Sequence, residues 1–206
     1  EHLPLECSHL YLAIEGKLAA VICVEDPLRE EAADAVRELK EAGITKVVMM
    51  TGDSERTAAA IAKRVGVDEY YSEVLPEDKA SFVEKEKELG HKVIMIGDGI
   101  NDSLALSSAS VGIAISDGAA IAREIADVTI SADNLHEIVT LKRLSTALMK
   151  RIHNNYRTII GINGGLIALG VTGIIMPTTS ALLHNMSTLT ISLRSMRNLL
   201  PKEEEA

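Results

Sequence analysis

Cysteine is scarce in this chain. Cys7 and Cys23 are the only two, they form no C-x-x-C pair, and neither lies near a cluster of histidines. That sets aside a thiolate metal centre or a disulfide framework and leaves two thiols in a reducing compartment. Positive charge is also short. Residues 1–150 carry 16 Lys/Arg against 27 Asp/Glu, an acidic balance that argues against nucleic acid as a partner. No basic-then-apolar leader opens the chain, which starts at Glu1. Its opening reads like the middle of a longer protein, so a fragment is expected. Charge of either sign is absent from Thr158 to Met176, a run of nineteen residues.

What is present is organised around Lys92 to Asp102, K-V-I-M-I-G-D-G-I-N-D. Lys92–Ile96 reads as a short buried strand, since Val and Ile suit a pleated surface. Gly97-Asp98-Gly99-Ile100-Asn101-Asp102 follows, with two glycines that let the backbone turn tightly and approach a ligand. Asp98 and Asp102 are hard oxygen ligands of the kind that suit Mg²⁺ beside a phosphate, because Mg²⁺ takes only one or two protein carboxylates. An ordinary strand-to-helix turn with capping acids is the plainer alternative for this hexapeptide alone.

Taken in order, His9–Ile14 and Lys17–Val24 read as a hairpin around Glu15-Gly16. Helices are expected over Glu30–Glu41, Glu55–Val65, Pro76–Leu89, Asn101–Ser108 and Gly118–Ala126. Strands are expected over Lys46–Met50, Tyr70–Ser72, Val111–Ile115 and Asp127–Ile130. Such alternation predicts right-handed βαβ units on a parallel sheet, an α/β fold of Rossmann-like type. Ligands in such sheets bind outside the carboxyl ends of the strands. Thr51-Gly52-Asp53 and Gly97-Asp98-Gly99 both fall at such ends.

From Asn134 the pattern changes. Leu135–Arg157 reads as a long helix with Lys142, Arg143, Lys150, Arg151 and Arg157 towards its end. The uncharged run Thr158–Met176 is long enough to span a bilayer core of about 30 Å. Pro177 breaks it, Thr178–Leu193 is again uncharged, and Arg194, Arg197 and Lys202 follow. Basic residues at both ends and none in the turn predict a transmembrane α-helical hairpin with both ends cytoplasmic. The expected division is 1–24, 25–133 and 134–206. The alternative is a hydrophobic hairpin buried in a soluble domain.

Thr51 offers a hydroxyl and nearby amides for a phosphoryl oxygen. Lys79 lies in the first turn of a helix, where a cation is mildly unfavourable, and is either a solvated residue or a phosphate-neutralising one. No nucleophile is evident: Asp26 is followed by Pro27, with no second acid two residues on, and reads as a hinge. In the hairpin, polar residues are costly and by default functional. Asn163, His184, Ser187 and Thr188 are the candidates, and the last three share one helical face. Imidazole suits Zn, Cu, Ni or Co, and the absence of Cys from both spans disfavours Cu⁺. The alternative is that Ser and Thr back-bond while Gly161 and Gly165 form a packing face.

Thr51-Gly52-Asp53, Lys79 and Gly97-Asp98-Gly99-Ile100-Asn101-Asp102, in this order, resemble the phosphorylation domain of P-type ATPases, a branch of the haloacid dehalogenase superfamily. Asp26-Pro27-Leu28-Arg29 resembles the hinge where the nucleotide-binding domain returns to it. Two membrane segments after this domain resemble the heavy-metal-transporting class. The resemblance implies residues 1–24 as the end of a nucleotide-binding domain, 25–133 as the phosphorylation domain, and 134–206 as a long helix and two membrane helices. It implies a multi-pass plasma-membrane protein with a cytoplasmic phosphorylation domain. It also implies ATP and Mg²⁺ as cofactors, a transition-metal ion as cargo, and membrane lipid and the upstream remainder of the same ATPase as partners. Asp98 would ligate Mg²⁺, with Asp102 beside it. Thr51 and Lys79 would hold the transferred phosphoryl group, Gly52 would belong to the same catalytic turn, and Asp53, Asn101 and Asp102 would order the site. The Asp-Lys-Thr-Gly motif that is phosphorylated and the Thr-Gly-Glu actuator loop are both missing, so the fragment alone is expected to be inactive. Zn²⁺, Cd²⁺ or Co²⁺ is favoured over Cu⁺. Two other readings are a membrane-anchored phosphatase of the same superfamily and a truncated, non-catalytic membrane piece.

Overall fold

The computed structural model describes residues 8–24, 28–98, 101–115, 124–130 and 134–200. Cys7, Asp26-Pro27, Gly99-Ile100 and most of the helix expected over Gly118–Ala126 lie outside the described residues. The chain divides into two compact units, Glu1–Val139 and Thr140–Ala206.

In the first unit, β1 (Ser8–Ile14) and β2 (Lys17–Val24) form an antiparallel hairpin. It turns at Glu15 and Gly16, both in the left-handed region at φ 51° and 74°. The pair is a sheet of its own, and Leu10, Tyr11, Leu12, Ile14, Leu18 and Ile22 remain exposed. Successive side chains on a strand point to opposite faces, so both faces of this ribbon are apolar.

The remainder of the unit is the expected alternation. After α1 (Ala32–Glu41) come β3 (Val48–Met50), α2 (Glu55–Val65), β4 (Glu69–Tyr71) and α3 (Pro76–Glu88). Then follow β5 (Ile94–Gly97), α4 (Ser103–Ser108), β6 (Val111–Ile115) and β7 (Val128–Ile130). Every strand pair among β3–β7 is parallel, as the α/β pattern predicts. The strands fall into two sheets, however, β3–β4 and β5–β6–β7. Among the described residues β3 pairs only with β4 and β5 only with β6, so each keeps an unpaired edge.

Local chemistry sets these elements. Ala58 and Ala62, four apart on one helical face, are buried in α2, and Gly66 closes it at φ 79° with its N–H 2.9 Å from Ala62 O. Pro76 opens α3, where its missing N–H costs nothing, and Asp78 Oδ2 accepts from Leu75 N at 3.3 Å. The Phe82 ring of α3 stands 5.2 Å from that of Tyr71 on β4, tilted by 56°. Asp68 accepts from Lys40 Nζ and from Val47 N, both at 2.7 Å, tying α1 to the foot of β3. Without Trp and with a single Phe, the core is aliphatic: Leu106, Val83 and Val139 are its largest fully buried side chains. Each such burial contributes roughly 1.5–3 kcal/mol.

The final elements are α5 (His136–Val171) and α6 (Pro177–Ser195). The long helix expected over Leu135–Arg157 and the first uncharged run are one continuous helix up to Val171. Of the uncharged run Thr158–Met176, only the part up to Val171 is helical, and the chain turns at Gly173, φ 73°. Fourteen helical residues from Thr158 rise only about 21 Å. Thr178, Thr179, Ser180, His184, Asn185, Ser187, Thr188, Thr190 and Ser192 dilute the apolar content of α6. Among the described residues no helix is long and apolar enough to cross a membrane.

Candidate active site

The site starts at the carboxyl end of β5. A Cβ at Gly97 would stand 2.7 Å from Asp102 Cβ, so only glycine lets the strand end pass this close to the Asp102 side chain. Asp102 caps α4, its carbonyl accepting from Leu106 N at 2.8 Å. It is one of two buried polar residues among the described ones, 9% exposed. A buried carboxylate needs a partner, and Lys79 supplies it: Nζ lies 2.8 Å from Asp102 Oδ1. The two side chains are 16% and 12% exposed, so solvent screens the pair little.

Lys79 is held there through the turn after β3. Thr51 N donates to Tyr71 O at 3.0 Å, and Thr51 O accepts from Val74 N at 3.0 Å, just before α3. Lys79 N then donates to Leu75 O at 3.2 Å in the first turn of that helix. Thr51 Oγ1 donates to Asp53 Oδ2 at 2.6 Å and accepts from Asp53 N at 3.1 Å, which locks the Thr51-Gly52-Asp53 turn. Backbone bonds therefore connect the β3 turn to the foot of α3, and Lys79 connects α3 to the end of β5.

Asp98, exposed just beyond β5, accepts from Asn101 N at 3.0 Å and Asn101 Nδ2 at 3.1 Å. Thus the structure brings together Lys79 with Asp102, Asp98 with Asn101, and Thr51 with Asp53. Asp102 spends one oxygen on Lys79, leaving Asp98 as the exposed carboxylate. Among the described residues no group of three or more His, Cys, Asp or Glu could hold a metal. An oxygen donor set of one or two carboxylates nevertheless fits Mg²⁺, which keeps most of its water. Asp98 would hold that ion, whose charge would offset that of a phosphoryl group.

Sequence reasoning missed a second cluster beside the Thr51 turn. Glu55, at the start of α2, accepts from Ser72 Oγ at 2.5 Å and Tyr70 Oη at 2.8 Å. The hydroxyl of Ser72, and then that of Tyr70, hold the Glu55 carboxyl below the usual carboxylate range. The same bond, with partial desolvation, raises the Tyr70 phenol. Nothing in the spacing announces this contact, which joins residues 15 and 17 apart.

In the second unit, His184 Nδ1 on α6 lies 2.9 Å from Asn163 Oδ1 on α5. An amide oxygen only accepts, so Nδ1 is the donor in this contact. Ser187 Oγ and Thr188 Oγ1 donate to His184 O at 2.8 and 3.1 Å, back-bonding to their own helix. Asn155 Nδ2 donates to Ser195 Oγ at 2.7 Å. Advancing along α5 from Asn155 to Asn163 retreats along α6 from Ser195 to His184, so the two helices are antiparallel.

Known proteins resemble this chain in sequence and fold. The family model for haloacid dehalogenase-like hydrolases matches residues 3–110, more than half of the chain. The chain belongs to the haloacid dehalogenase-like hydrolase family. Within that family it is similar to heavy-metal P-type ATPases. The zinc-exporting P-type ATPase of Mycobacterium marinum is 37% identical over 189 residues, 91% of this chain and 26% of the relative. Copper-transporting ATPase 2 of Rhizobium meliloti is 44% identical over 176 residues, 85% of this chain and 21% of the relative. The crystal structure of a zinc-transporting PIB-type ATPase in its E2.Pi state superposes with a TM-score of 0.83 at 31% identity. It covers 96% of this chain and 32% of its own. The chain therefore spans about a quarter of the length of the curated relatives it matches.

Proposed function

We propose that the chain forms the carboxyl-terminal part of an ATP-driven transition-metal exporter. In this reading an aspartate upstream of residue 1 receives the phosphoryl group. Asp98 holds Mg²⁺ against that group, and Thr51 and Lys79 contact it. Asp53, Asn101 and Asp102 order the surrounding turns. The observation that carries the reading is the Lys79–Asp102 pair packed against Gly97 beside Asp98, a half-buried cation fixed at a strand's carboxyl end. Support for an upstream remainder comes from the unpaired edges of β3 and β5 and from the length of the relatives. In a full-length protein, Asp98→Ala is expected to abolish Mg²⁺-dependent phosphoenzyme formation; undiminished phosphorylation would sink the proposal.

The same reading makes α5 and α6 a membrane hairpin, with the apolar turn Thr172–Met176 completing what the uncharged part of α5, from Thr158, is too short to span. In its favour, α6 buries none of its residues, and Ile160, Ile167, Val171, Ile174, Met176, Leu182 and Leu189 are all exposed. An apolar surface of this kind, bare in water, fits hydrocarbon. His184 Nε2 is then the best ion ligand of the pair, oriented by Asn163, while Ser187 and Thr188 offer only hydroxyl lone pairs. A borderline imidazole site with no sulfur favours Zn²⁺, Cd²⁺ or Co²⁺ over Cu⁺.

A further inference from the structure

At the end of the hairpin opposite the Thr172–Met176 turn, the second unit contains a cavity of about 430 Å³. That volume lies inside the roughly 300–1,000 Å³ range of small-molecule sites. Lys150, Arg151, Arg194 and Arg197 line it, with Asn154 and Asn198, and among the described residues no carboxylate does. Four cations gathered around one hollow repel one another unless an anion joins them. Their roles differ. Arg151 is already committed: its guanidinium donates to Ser195 O at 3.0 Å, to Asn198 O at 2.9 Å and to Arg197 O. It thereby fixes the chain past the end of α6 and shapes the hollow. Lys150, Arg194 and Arg197 form no ion pair with a carboxylate among the described residues, and asparagine amides complete a donor-rich lining. Arg forks and Lys ammonium groups together match the oxygens of a phosphate ester.

We propose that this cavity binds the phosphate head group of an anionic membrane lipid. The choice of lipid over a free phosphate rests on the membrane reading above. The same two helices carry uncharged, exposed apolar faces from Ile159 on α5, about two turns beyond Arg151, and up to Leu193 on α6, next to Arg194. A head group held by Lys150, Arg194 and Arg197 would lay its acyl chains along those faces. Basic pockets between helices at a membrane's cytoplasmic side are suited to this task.

The test uses the whole 206-residue chain. The glutamates at 203–205 are thereby retained as competing anions. Partition into vesicles of phosphatidylcholine and of phosphatidylglycerol is measured first, and lipid retention in detergent is then read by native mass spectrometry. The expected result is insertion into both vesicles with preferential retention of phosphatidylglycerol. Arg194→Gln/Arg197→Gln should weaken that preference by about 25-fold, at about fivefold per cation near an anionic surface. Lys142→Gln/Arg157→Gln, with the same loss of charge outside the cavity, should keep it. Insertion with equal retention of both lipids, or equal losses from the two double variants, would overturn the head-group site and leave the membrane reading intact. Failure to enter either vesicle would overturn the membrane reading itself. Inorganic phosphate displacing phosphatidylglycerol at equal concentration would make the free ion the ligand and overturn the lipid assignment.

Discussion

Lys79 Nζ and Asp102 Oδ1 meet at 2.8 Å although 23 residues separate them, and the contact joins α3 to the strand end that carries Asp98. Removing one partner strands a charge that water reaches poorly. Lys79→Ala is expected to destabilise the chain by about 3 kcal/mol, the scale for breaking a buried pair. The double variant Lys79→Ala/Asp102→Ala should cost less than the sum of the singles by at least about 1 kcal/mol. A urea-unfolding double-mutant cycle measures this coupling, and strict additivity would show that the pair contributes nothing specific.

Two glycines in the site should respond differently to an added methyl. At Gly97 a Cβ collides with the Asp102 side chain, whereas at Gly52 the nearest atom is Val74 O, 3.9 Å away. Gly97→Ala should therefore cost about 1–3 kcal/mol, the scale of overpacking. Gly52→Ala should fall within about 0.5 kcal/mol of wild type. Thermal melting of the two variants makes the comparison, and equal shifts would contradict the packing at Gly97.

Asp68 sets a pH dependence whose sign is fixed. The Lys40 ammonium, and then the Val47 N–H, hold its carboxyl below the ordinary value. A depressed folded-state pKa adds stability that is fully present above the unfolded value of about 3.9 and is lost as pH falls through that region. Asp68→Asn should thus be less stable than wild type near neutral pH, with the gap narrowing below about pH 4. Denaturant midpoints across pH would record it; a gap that widens on acidification would reverse the assignment.

The Asn163–His184 contact gives a test of ion binding in a full-length transporter. His184→Ala should remove Zn²⁺-stimulated ATP hydrolysis. Asn163→Ala should leave the ligand in place but unoriented, weakening apparent metal affinity by about 10–100-fold. Unchanged stimulation by Zn²⁺, Cd²⁺ and Co²⁺ in His184→Ala would remove this residue from the ion path.

Short-range chemistry was readable in the sequence and long-range pairing was not. Gly66 and Gly90 mark where α2 and α3 stop, and the apolar run of Val111–Ile115 marks β6, because caps and side-chain periods act over a few residues. The uncharged run Thr158–Met176 reads as one span because hydropathy carries no signal for the left-handed turn at Gly173. A single sheet was the natural expectation from alternation, yet which strands lie side by side depends on partners that alternation does not name. In the site, the residue types at Thr51, Lys79 and Asp98 were legible. The contacts that assign Lys79 to Asp102, Glu55 to Tyr70 and Ser72, and Arg151 to the carbonyls beyond α6 arise only on folding.

The β1–β2 ribbon has a practical consequence for handling this chain by itself. A lone pair of strands is marginal in water, and one with Leu10, Tyr11, Leu18 and Ile22 bare on its two sides and, among the described residues, both outer edges unpaired is adhesive. Copies stacking through these ribbons would turn a monodisperse preparation into oligomers as concentration rises, and Leu10→Lys/Ile22→Lys would keep it dispersed.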